Sequence, residues 1–312
     1  MTWTPADIPD LHGRTAVVTG GNGGLGLVTS HELARAGAHV VLAARDQAKA
    51  AGAVDEIRAR NPQASVKVVP LDLGSLASVA AAAEQILAAH EAVDVLVNNA
   101  GLMAMPEGRT ADGFEMQFGV DHLGHFALTA HLLPALLRAE AARVVTVTST
   151  ARFMGTPVDP ANPHLEGRYR PWRAYAQAKW ANFHFGLGLQ QQFERARVGA
   201  QSLIAHPGLS NTDLQSRTVR EGGAGWIGAV SEVMAKRSGM TPAEGARMQL
   251  RAATDPTARG GELYGPRFGS NGPAVRRPIL RRFDLQRRID ELWLLSESET
   301  GVVLDVAEAR SN

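Results

Sequence analysis

The stretch Thr19-Gly20-Gly21-Asn22-Gly23-Gly24-Leu25-Gly26 lies between a short apolar segment, residues 15–19, and a segment of helical period, residues 25–36. Glycines let the backbone turn sharply and approach a pyrophosphate group, whose charge is met by the N–H groups at the start of the following helix. The glycine positions fit the spacings GxGxxG, GxxGxxG and GxxxGxG alike. The stretch therefore predicts a dinucleotide site in a strand–loop–helix unit, without choosing among the families that use one.

Short β-branched runs alternate with longer Ala- and Leu-rich segments beyond this loop, as in a parallel sheet covered by helices on both faces. We therefore predict an α/β protein with a doubly wound parallel sheet, the Rossmann fold, forming one domain over residues 1–312. An irregular region near 209–240 is predicted to form a substrate lid, and residues 266–312 a C-terminal extension. The predicted strands span residues 15–19, 39–43, 66–69, 93–97, 144–148 and 201–205, and the predicted helices span residues 25–36, 47–60, 76–89, 112–138 and 173–196.

The composition excludes several classes of protein. A formal net charge of +1 provides no overall field that would recruit nucleic acid or an anionic membrane. The chain contains no cysteine, which excludes disulfides, thiolate catalysis and cysteine-ligated metals. It shows neither a secretory signal nor a run of ~20 apolar residues that could span a bilayer. We therefore expect a cytoplasmic protein with no nucleic-acid or membrane partner.

Arg45 ends the second predicted strand, about twenty residues beyond the glycine loop, where an acid would bind the ribose of NAD and an arginine would accommodate the 2′-phosphate of NADP. The planar fork of arginine matches a phosphate, so Arg45 favours NADP(H), with NAD(H) the less favoured cofactor. Asp46 could instead supply the acid. It lies where a helix N-cap is expected, however, and would there accept backbone N–H groups.

Two further motifs carry a family resemblance. Asn98-Asn99-Ala100-Gly101 follows the fourth predicted strand, and Tyr175-Ala176-Gln177-Ala178-Lys179 follows Ser149, which ends the fifth. With the GxxxGxG loop, they make residues 13 to about 265 resemble the single-domain branch of the short-chain dehydrogenase/reductase family. His122-Leu123-Gly124-His125-Phe126 and Leu292-Trp293 resemble most closely the branch that contains retinol dehydrogenases.

The chemistry of such a reductase suits Ser149, Tyr175 and Lys179. Tyrosine has a pKa near 10 and needs help to exchange protons at neutral pH. Lys179 lies one helical turn away on the same face, where its charge would lower the pKa of Tyr175. The hydroxyl of Ser149 would hold the substrate oxygen, with Thr150 as the alternative. The resemblance implies that the cofactor contacts Gly20, Asn22, Gly24, Leu25, Gly26, Arg45, Asp72, Leu73, Asn99, Ala100, Gly101, Tyr175, Lys179, Pro207, Gly208 and Thr212.

Asp121 departs from the family pattern, which usually has an asparagine that helps to hold a proton relay to the lysine. The carboxylate can still accept hydrogen bonds, and its backbone carbonyl is unchanged. A negative charge near Lys179 would nevertheless weaken the effect of the lysine on Tyr175. We therefore count Asp121 among the catalytic residues and predict an active protein whose pH optimum is higher than that of an Asp121→Asn variant.

The leading interpretation is an NADP(H)-dependent oxidoreductase that acts on an apolar carbonyl or alcohol, with Tyr175 as the general acid and base. The alternatives are a catalytically silent NADP(H)-sensing module, which predicts a disrupted catalytic set, and a protochlorophyllide-type reductase, which usually has cysteines. A homo-oligomer would be expected to associate through the helices predicted at 112–138 and 173–196. The candidate substrate-pocket residues are Phe153, Met154, Trp172, Leu209, Trp226, Ile227 and Met234.

Two other patterns are given structural interpretations. His122 and His125 lie near Asp121, but without an HExxH pattern, so no metal site is predicted. The arginine-rich stretch from Arg276 to Arg288 is interrupted by apolar and acidic residues, and we interpret it as an amphipathic helix on the domain surface.

Overall fold

The structure is a computed structural model that describes residues 2–209, 239–279 and 283–311. Its described residues form a single eight-stranded sheet. The strands are β1 (Thr15–Thr19), β2 (His39–Ala44), β3 (Val66–Pro70), β4 (Val95–Asn98), β5 (Arg143–Val147), β6 (Gln201–Ala205), β7 (Leu263–Pro266) and β8 (Ala274–Arg277). Their order is β3-β2-β1-β4-β5-β6-β7-β8, and every neighbouring pair is parallel except β7 with β8.

Helices cover both faces of this sheet. Val17 and Val41 face one apolar core and Val18 and Leu42 the other, because successive side chains of a strand point to opposite faces. The predicted doubly wound Rossmann fold is thus confirmed, with an antiparallel strand at one edge. The helices are α1 (Gly24–Arg35), α2 (Gln47–Arg60), α3 (Leu76–Ala89), α4 (Met116–Phe118), α5 (Gly124–Arg138), α6 (Pro171–Ala196), α7 (Pro242–Thr254), α8 (Leu285–Thr300) and α9 (Val306–Ser311), with 3-10 turns at Pro5–Asp7 and Thr150–Met154 and a π-helical turn at Gly119–Leu123.

The helix predicted over residues 112–138 is interrupted. It begins only at Met116, because the Glu115 carboxylate caps it, accepting the backbone N–H groups of Gln117 at 2.9 Å and Phe118 at 2.6 Å. The π-helical turn then separates α4 from α5. The fourth strand likewise begins at Val95 rather than 93, since the N–H of Val93 donates to Ala135 of α5 instead of to the sheet.

The C-terminal part of the sheet was missed by the sequence analysis. Helix α7 starts at a capping box in which Thr241 and Glu244 each accept the backbone N–H of the other. Strands β7 and β8 then extend the sheet beyond β6, so Pro266 and residues 274–277, within the predicted C-terminal extension, are paired in the sheet. The lid predicted near 209–240 lies, except for residues 209, 239 and 240, outside the described residues.

Helix α8 packs along α6, where Gly188 permits a close approach. A Cβ atom at Gly188 would lie 2.9 Å from Cγ2 of Ile289 and 3.1 Å from the Trp293 ring. Helix α9 also lies against α5 and α6, so the C-terminal helices cover part of the face through which association was expected.

The arginine-rich stretch is not one helix. Arg287 and Arg288 lie on α8, as predicted, whereas Arg276 and Arg277 belong to β8. Within the described ranges, every helix is too short or too polar to cross a lipid bilayer.

Candidate active site

A cavity of about 1010 Å³ opens at the carboxyl ends of the parallel strands, where β1 and β4 meet and the strand order reverses. Ligands of doubly wound sheets bind in this crevice. All the predicted cofactor residues line the cavity except Thr212, which lies outside the described residues. Residues predicted from separate parts of the chain thus lie on the surface of one cavity.

The glycine loop fits the pyrophosphate of a dinucleotide. Gly20 has φ +65°, and a Cβ atom at Gly26 would lie only 2.3 Å from the Gly20 carbonyl oxygen. Helix α1 begins after Gly23, which cannot supply a side-chain cap. The first N–H groups of α1 thus remain available for an anion, and Gly24, Leu25 and Gly26 line the cavity beside them.

Arg45 and Lys49 lie at the end of the cavity formed by β2 and α2. The Asp46 carboxylate accepts the backbone N–H of Lys49 at 2.9 Å, so it caps α2 as predicted. The Arg45 guanidinium is 4.0 Å from the carboxylate of Asp72 and 60% exposed, which leaves it accessible from the cavity. Sequence analysis missed Lys49, although its position one helical turn after Arg45 could have indicated it.

Ser149 presents its hydroxyl to the phenol of Tyr175. It is the N-cap of the 3-10 turn Thr150–Met154, and its Oγ accepts the backbone N–H of Ala151 at 3.1 Å. Burial raises the pKa of Tyr175, and a hydrogen bond from Ser149 to the phenol acts against this rise. The neighbouring hydroxyl of Thr148 instead donates to the Lys179 carbonyl at 2.6 Å, and Thr150 is exposed. The geometry thus favours Ser149 over the alternative hydroxyls.

Lys179 lies between Tyr175 and Asp121. Its Nζ is 5.4 Å from the centre of the Tyr175 ring and 2.8 Å from Oδ2 of Asp121. The other carboxylate oxygen of Asp121 accepts the backbone N–H of Leu102 at 2.7 Å. The Asp121 side chain is fully buried and that of Lys179 only 6% exposed. Asp121 does not itself line the cavity, so it lies behind the lysine.

The charges around Tyr175 act in opposite directions. Burial raises the pKa of Tyr175, the positive charge of Lys179 lowers it, and the negative charge of Asp121 raises it. For Lys179, burial alone would lower the pKa, but the charges of Asp121 and Tyr175 outweigh burial and raise it. Lys179 is therefore a stable cation next to Tyr175, and part of its field is compensated by Asp121.

A buried network joins the glycine-loop strand to the π-helical turn. Nδ1 of His125 donates to the backbone carbonyl of Asp121 at 2.9 Å, and Nε2 lies 2.8 Å from Oγ1 of Thr19. The same Thr19 oxygen accepts the backbone N–H groups of Asn99 at 2.9 Å and Ala100 at 3.0 Å. Burial lowers the pKa of His125 to about 4, so the ring is neutral. His125 is thus part of the scaffold beneath the cavity.

His122 also serves the scaffold, with Nε2 located 2.8 Å from Oγ of Ser296 on α8. Throughout residues 2–209, 239–279 and 283–311, no cluster of three histidine, aspartate or glutamate side chains could hold a metal ion.

The substrate side of the cavity is mainly apolar. Of the predicted pocket residues, Met154, Trp172 and Leu209 line it, and the Trp172 ring meets the Tyr175 ring edge-on at 6.0 Å. Phe153 was wrongly predicted: it packs edge-on against Trp180, is 58% exposed and does not line the cavity. Trp226, Ile227 and Met234 lie outside the described residues, and sequence analysis missed Leu102, Met103 and Ser270.

Comparisons with known proteins agree with this geometry. A sequence model of the family described as short chain dehydrogenase matches residues 14–222. Polyprenol dehydrogenase of Mus musculus is 38% identical over 290 residues, which are 91% of this chain and 84% of that protein. Retinol dehydrogenase 14 of Mus musculus is 34% identical, covering 94% of this chain and 87% of that protein. A structure described as an NAD(P)-dependent gluconate 5-dehydrogenase of Beutenbergia cavernae, with bound NADP, is 29% identical with a TM-score of 0.60, covering 79% of this chain and 91% of that one.

Proposed function

Because the chain belongs to the short-chain dehydrogenase family, we propose that it transfers hydride between NADP(H) and an apolar carbonyl or alcohol, with Tyr175 as the general acid and base. As a member of this family it is an NAD(P)-dependent oxidoreductase that acts on CH–OH or C=O groups. The observation that carries the proposal is that Ser149, Tyr175 and Lys179 all line the cavity that contains the glycine loop.

Bound NADPH would supply the hydride for reduction of a carbonyl. The Ser149 hydroxyl holds the carbonyl oxygen, and Tyr175 donates its phenolic proton to that oxygen as negative charge develops. The resulting tyrosinate is stabilised by the positive charge of Lys179. In the direction of alcohol oxidation, tyrosinate takes the proton back from the hydroxyl. The protein residues therefore move one proton for each hydride transferred.

The choice of NADP(H) is supported by two cationic side chains, Arg45 and Lys49, at the end of the cavity where the adenosine ribose would bind. Arginine and lysine both pair with a phosphate. The carboxylate that could have served NAD, Asp46, accepts the N–H of Lys49 as a helix cap. A 2′-phosphate would therefore meet two cationic side chains at this end, whereas Asp46 serves as a helix cap.

The substrate class follows from the lining around Tyr175. Met103, Met154, Trp172 and Leu209 provide a surface suited to a long or flat apolar molecule. Two relatives are named for polyprenol and retinol, both apolar alcohols. We therefore propose isoprenoid-type alcohols and their aldehydes as the first substrates to test. The cytoplasmic location and a homo-oligomeric state remain predictions.

The test is steady-state turnover of NADPH, and separately of NADH, with a panel of apolar aldehydes, ketones and quinones. The wild type is expected to oxidise NADPH faster than NADH, and Tyr175→Phe to lose turnover while still binding NADPH. Tyr169→Phe is the matched control, because the Tyr169 hydroxyl donates to the Met105 carbonyl at 2.7 Å and does not line the cavity. Tight NADPH binding without turnover of any substrate would favour the sensing module, and faster use of NADH would overturn the cofactor assignment.

A further inference from the structure

Arg152 is a buried cation that the proposed mechanism does not use. It lies in the 3-10 turn that follows Ser149 and is only 6% exposed. Across the described ranges, no carboxylate forms an ion pair with Arg152, and its Nε has no hydrogen-bond partner. An arginine is rarely buried without an acidic partner, because the loss of hydration is costly. The side chain therefore requires another explanation.

Among the described residues, aromatic rings surround the guanidinium of Arg152. The guanidinium carbon lies 4.3 Å from the ring centre of Phe153, 4.8 Å from that of Phe183 and 5.5 Å from that of Trp180. Phe183 and Trp180 belong to α6, the helix that also carries Tyr175 and Lys179. Cation–π contacts of a desolvated guanidinium are attractive, so they fix Arg152 against one face of α6.

The same guanidinium holds the backbone of Ser149. Its Nη1 donates to the Ser149 carbonyl at 3.0 Å, and the backbone N–H of Arg152 donates to that carbonyl at 3.2 Å. On the other side of the serine, Oγ accepts the N–H of Ala151. With its carbonyl and one hydroxyl lone pair occupied, Ser149 has little rotational freedom. Arg152 and Ala151 thus hold the backbone carbonyl and the Oγ of Ser149 in place.

We propose that Arg152 is a positioning residue that sets the distance between the Ser149 hydroxyl and Tyr175 by fastening the serine turn to the aromatic face of α6. This inference rests on the function proposed above. The guanidinium does not line the cavity and does not touch the reacting atoms. It acts through Ser149, and its removal affects the chemical step only as far as Ser149 contributes to that step.

A double-mutant cycle tests this route. Ser149→Ala is expected to lower kcat on the order of 100-fold, the usual loss when a donor to a developing oxyanion is removed. Arg152→Met is expected to lower kcat about tenfold through misplacement of the serine, with KM for NADPH unchanged. In the Ser149→Ala background, Arg152→Met should cause no further loss, because residues that act through one another are not additive.

Arg251→Met is the matched control. Arg251 also lies over an aromatic ring, 5.5 Å from the centre of Tyr264, and donates to the backbone carbonyl of Ala274; unlike Arg152, it also pairs with a carboxylate, that of Asp255, at 2.9 Å. It is on α7 and does not line the cavity. Its replacement is expected to lower the thermal midpoint without changing kcat.

Three results separate the inference from the function on which it rests. Losses that multiply in the double variant, or an Arg152→Met protein with wild-type kcat, would overturn the role of Arg152 and leave the function standing. A Ser149→Ala protein with wild-type kcat would overturn the role of Ser149, and the inference with it. If Arg152→Met does not fold, the same cycle is run with Arg152→Lys, which keeps the charge but lacks the planar fork. The inference is supported if Arg152→Lys lowers kcat in the wild-type background and has no effect on kcat in the Ser149→Ala background. Any other result overturns it.

Discussion

Asp121 and Lys179 form a buried ion pair, with 2.8 Å between Oδ2 and Nζ, and Nζ lies 5.4 Å from the centre of the Tyr175 ring. The aspartate raises the pKa of Tyr175, acting in the same direction as burial and against the lysine. A protein with an uncharged side chain at position 121 should therefore titrate Tyr175 at a lower pH.

This relationship predicts the pH dependence of an Asp121→Asn variant. Alcohol oxidation requires the deprotonated phenol, so its rate rises as the pH passes the pKa of Tyr175. In Asp121→Asn we expect this rise to occur at a lower pH than in the wild type, because the negative charge that raises the pKa of Tyr175 is removed. The measurement is kcat/KM for an alcohol substrate from pH 6 to 11 at saturating NADP⁺, with thermal midpoints to check the fold. Superimposable profiles would refute the prediction.

The cofactor preference should depend on Arg45. A charge-assisted hydrogen bond contributes about 1.5–3 kcal/mol, so Arg45→Ala is expected to raise KM for NADPH roughly 10- to 100-fold and to leave KM for NADH almost unchanged. Arg60→Ala is the control, since Arg60 is the last residue of α2, pairs with Glu56 and does not line the cavity. An equal effect of Arg45→Ala on both cofactors would argue against phosphate recognition by this residue.

Alanine in place of Gly26 should weaken cofactor binding, whereas alanine in place of Gly52 should stabilise the fold. At Gly26 the new Cβ would lie 2.3 Å from the Gly20 carbonyl oxygen, so the loop must move, and we expect the Kd for NADPH to rise at least about tenfold. At Gly52 in α2, the new Cβ would meet nothing within 4 Å, and the free energy of unfolding should rise by about 0.5–1 kcal/mol. Cofactor titration and urea unfolding of both variants provide the test. Normal NADPH affinity in Gly26→Ala would show that the loop tolerates a side chain.

Thr19→Val should destabilise the protein although it preserves the shape of the side chain. It removes the acceptor of two backbone N–H groups, those of Asn99 and Ala100, and the partner of Nε2 of His125. Each buried polar group left without a partner costs about 1–3 kcal/mol, so we expect a loss of about 3 kcal/mol in urea unfolding. Thr15→Val, at the start of the same strand, is the control. A loss in Thr19→Val no greater than in this control would mean that water or a rearrangement replaces the hydroxyl.

The sheet and the main cavity residues could be predicted because they depend on local patterns. A parallel strand buried on both faces is recognisable as an apolar run, and the carboxyl ends of such strands meet at one edge. Tyr175 and Lys179 share a helix face simply through their spacing of four residues. Helix α7 is also encoded locally, by the capping box of Thr241 and Glu244 with Pro242 in its first turn, although it is not among the predicted helices.

Other features depend on contacts between distant parts of the chain. Phe153 was expected in the pocket, but its ring packs against Trp180, and the adjacent guanidinium of Arg152 also lies over Phe183 of α6. The direction of side chains in a short 3-10 turn is set by such neighbours rather than by periodicity. The π-helical turn that places Asp121 behind Lys179 depends in the same way on its surroundings, with His125 holding the Asp121 carbonyl and Thr19 holding His125.

The position of α8 against α6 has a consequence during synthesis on the ribosome. Gly188 and the buried ring of Phe185 meet Ile289 and Trp293, which are translated only after every described strand of the sheet. Until then the outer face of the helix that carries Tyr175 is bare, a state that chaperones recognise and proteases degrade. A product terminated before α8 would keep this apolar surface exposed. We therefore expect folding of the chain to be completed only after the C-terminal helices have been translated.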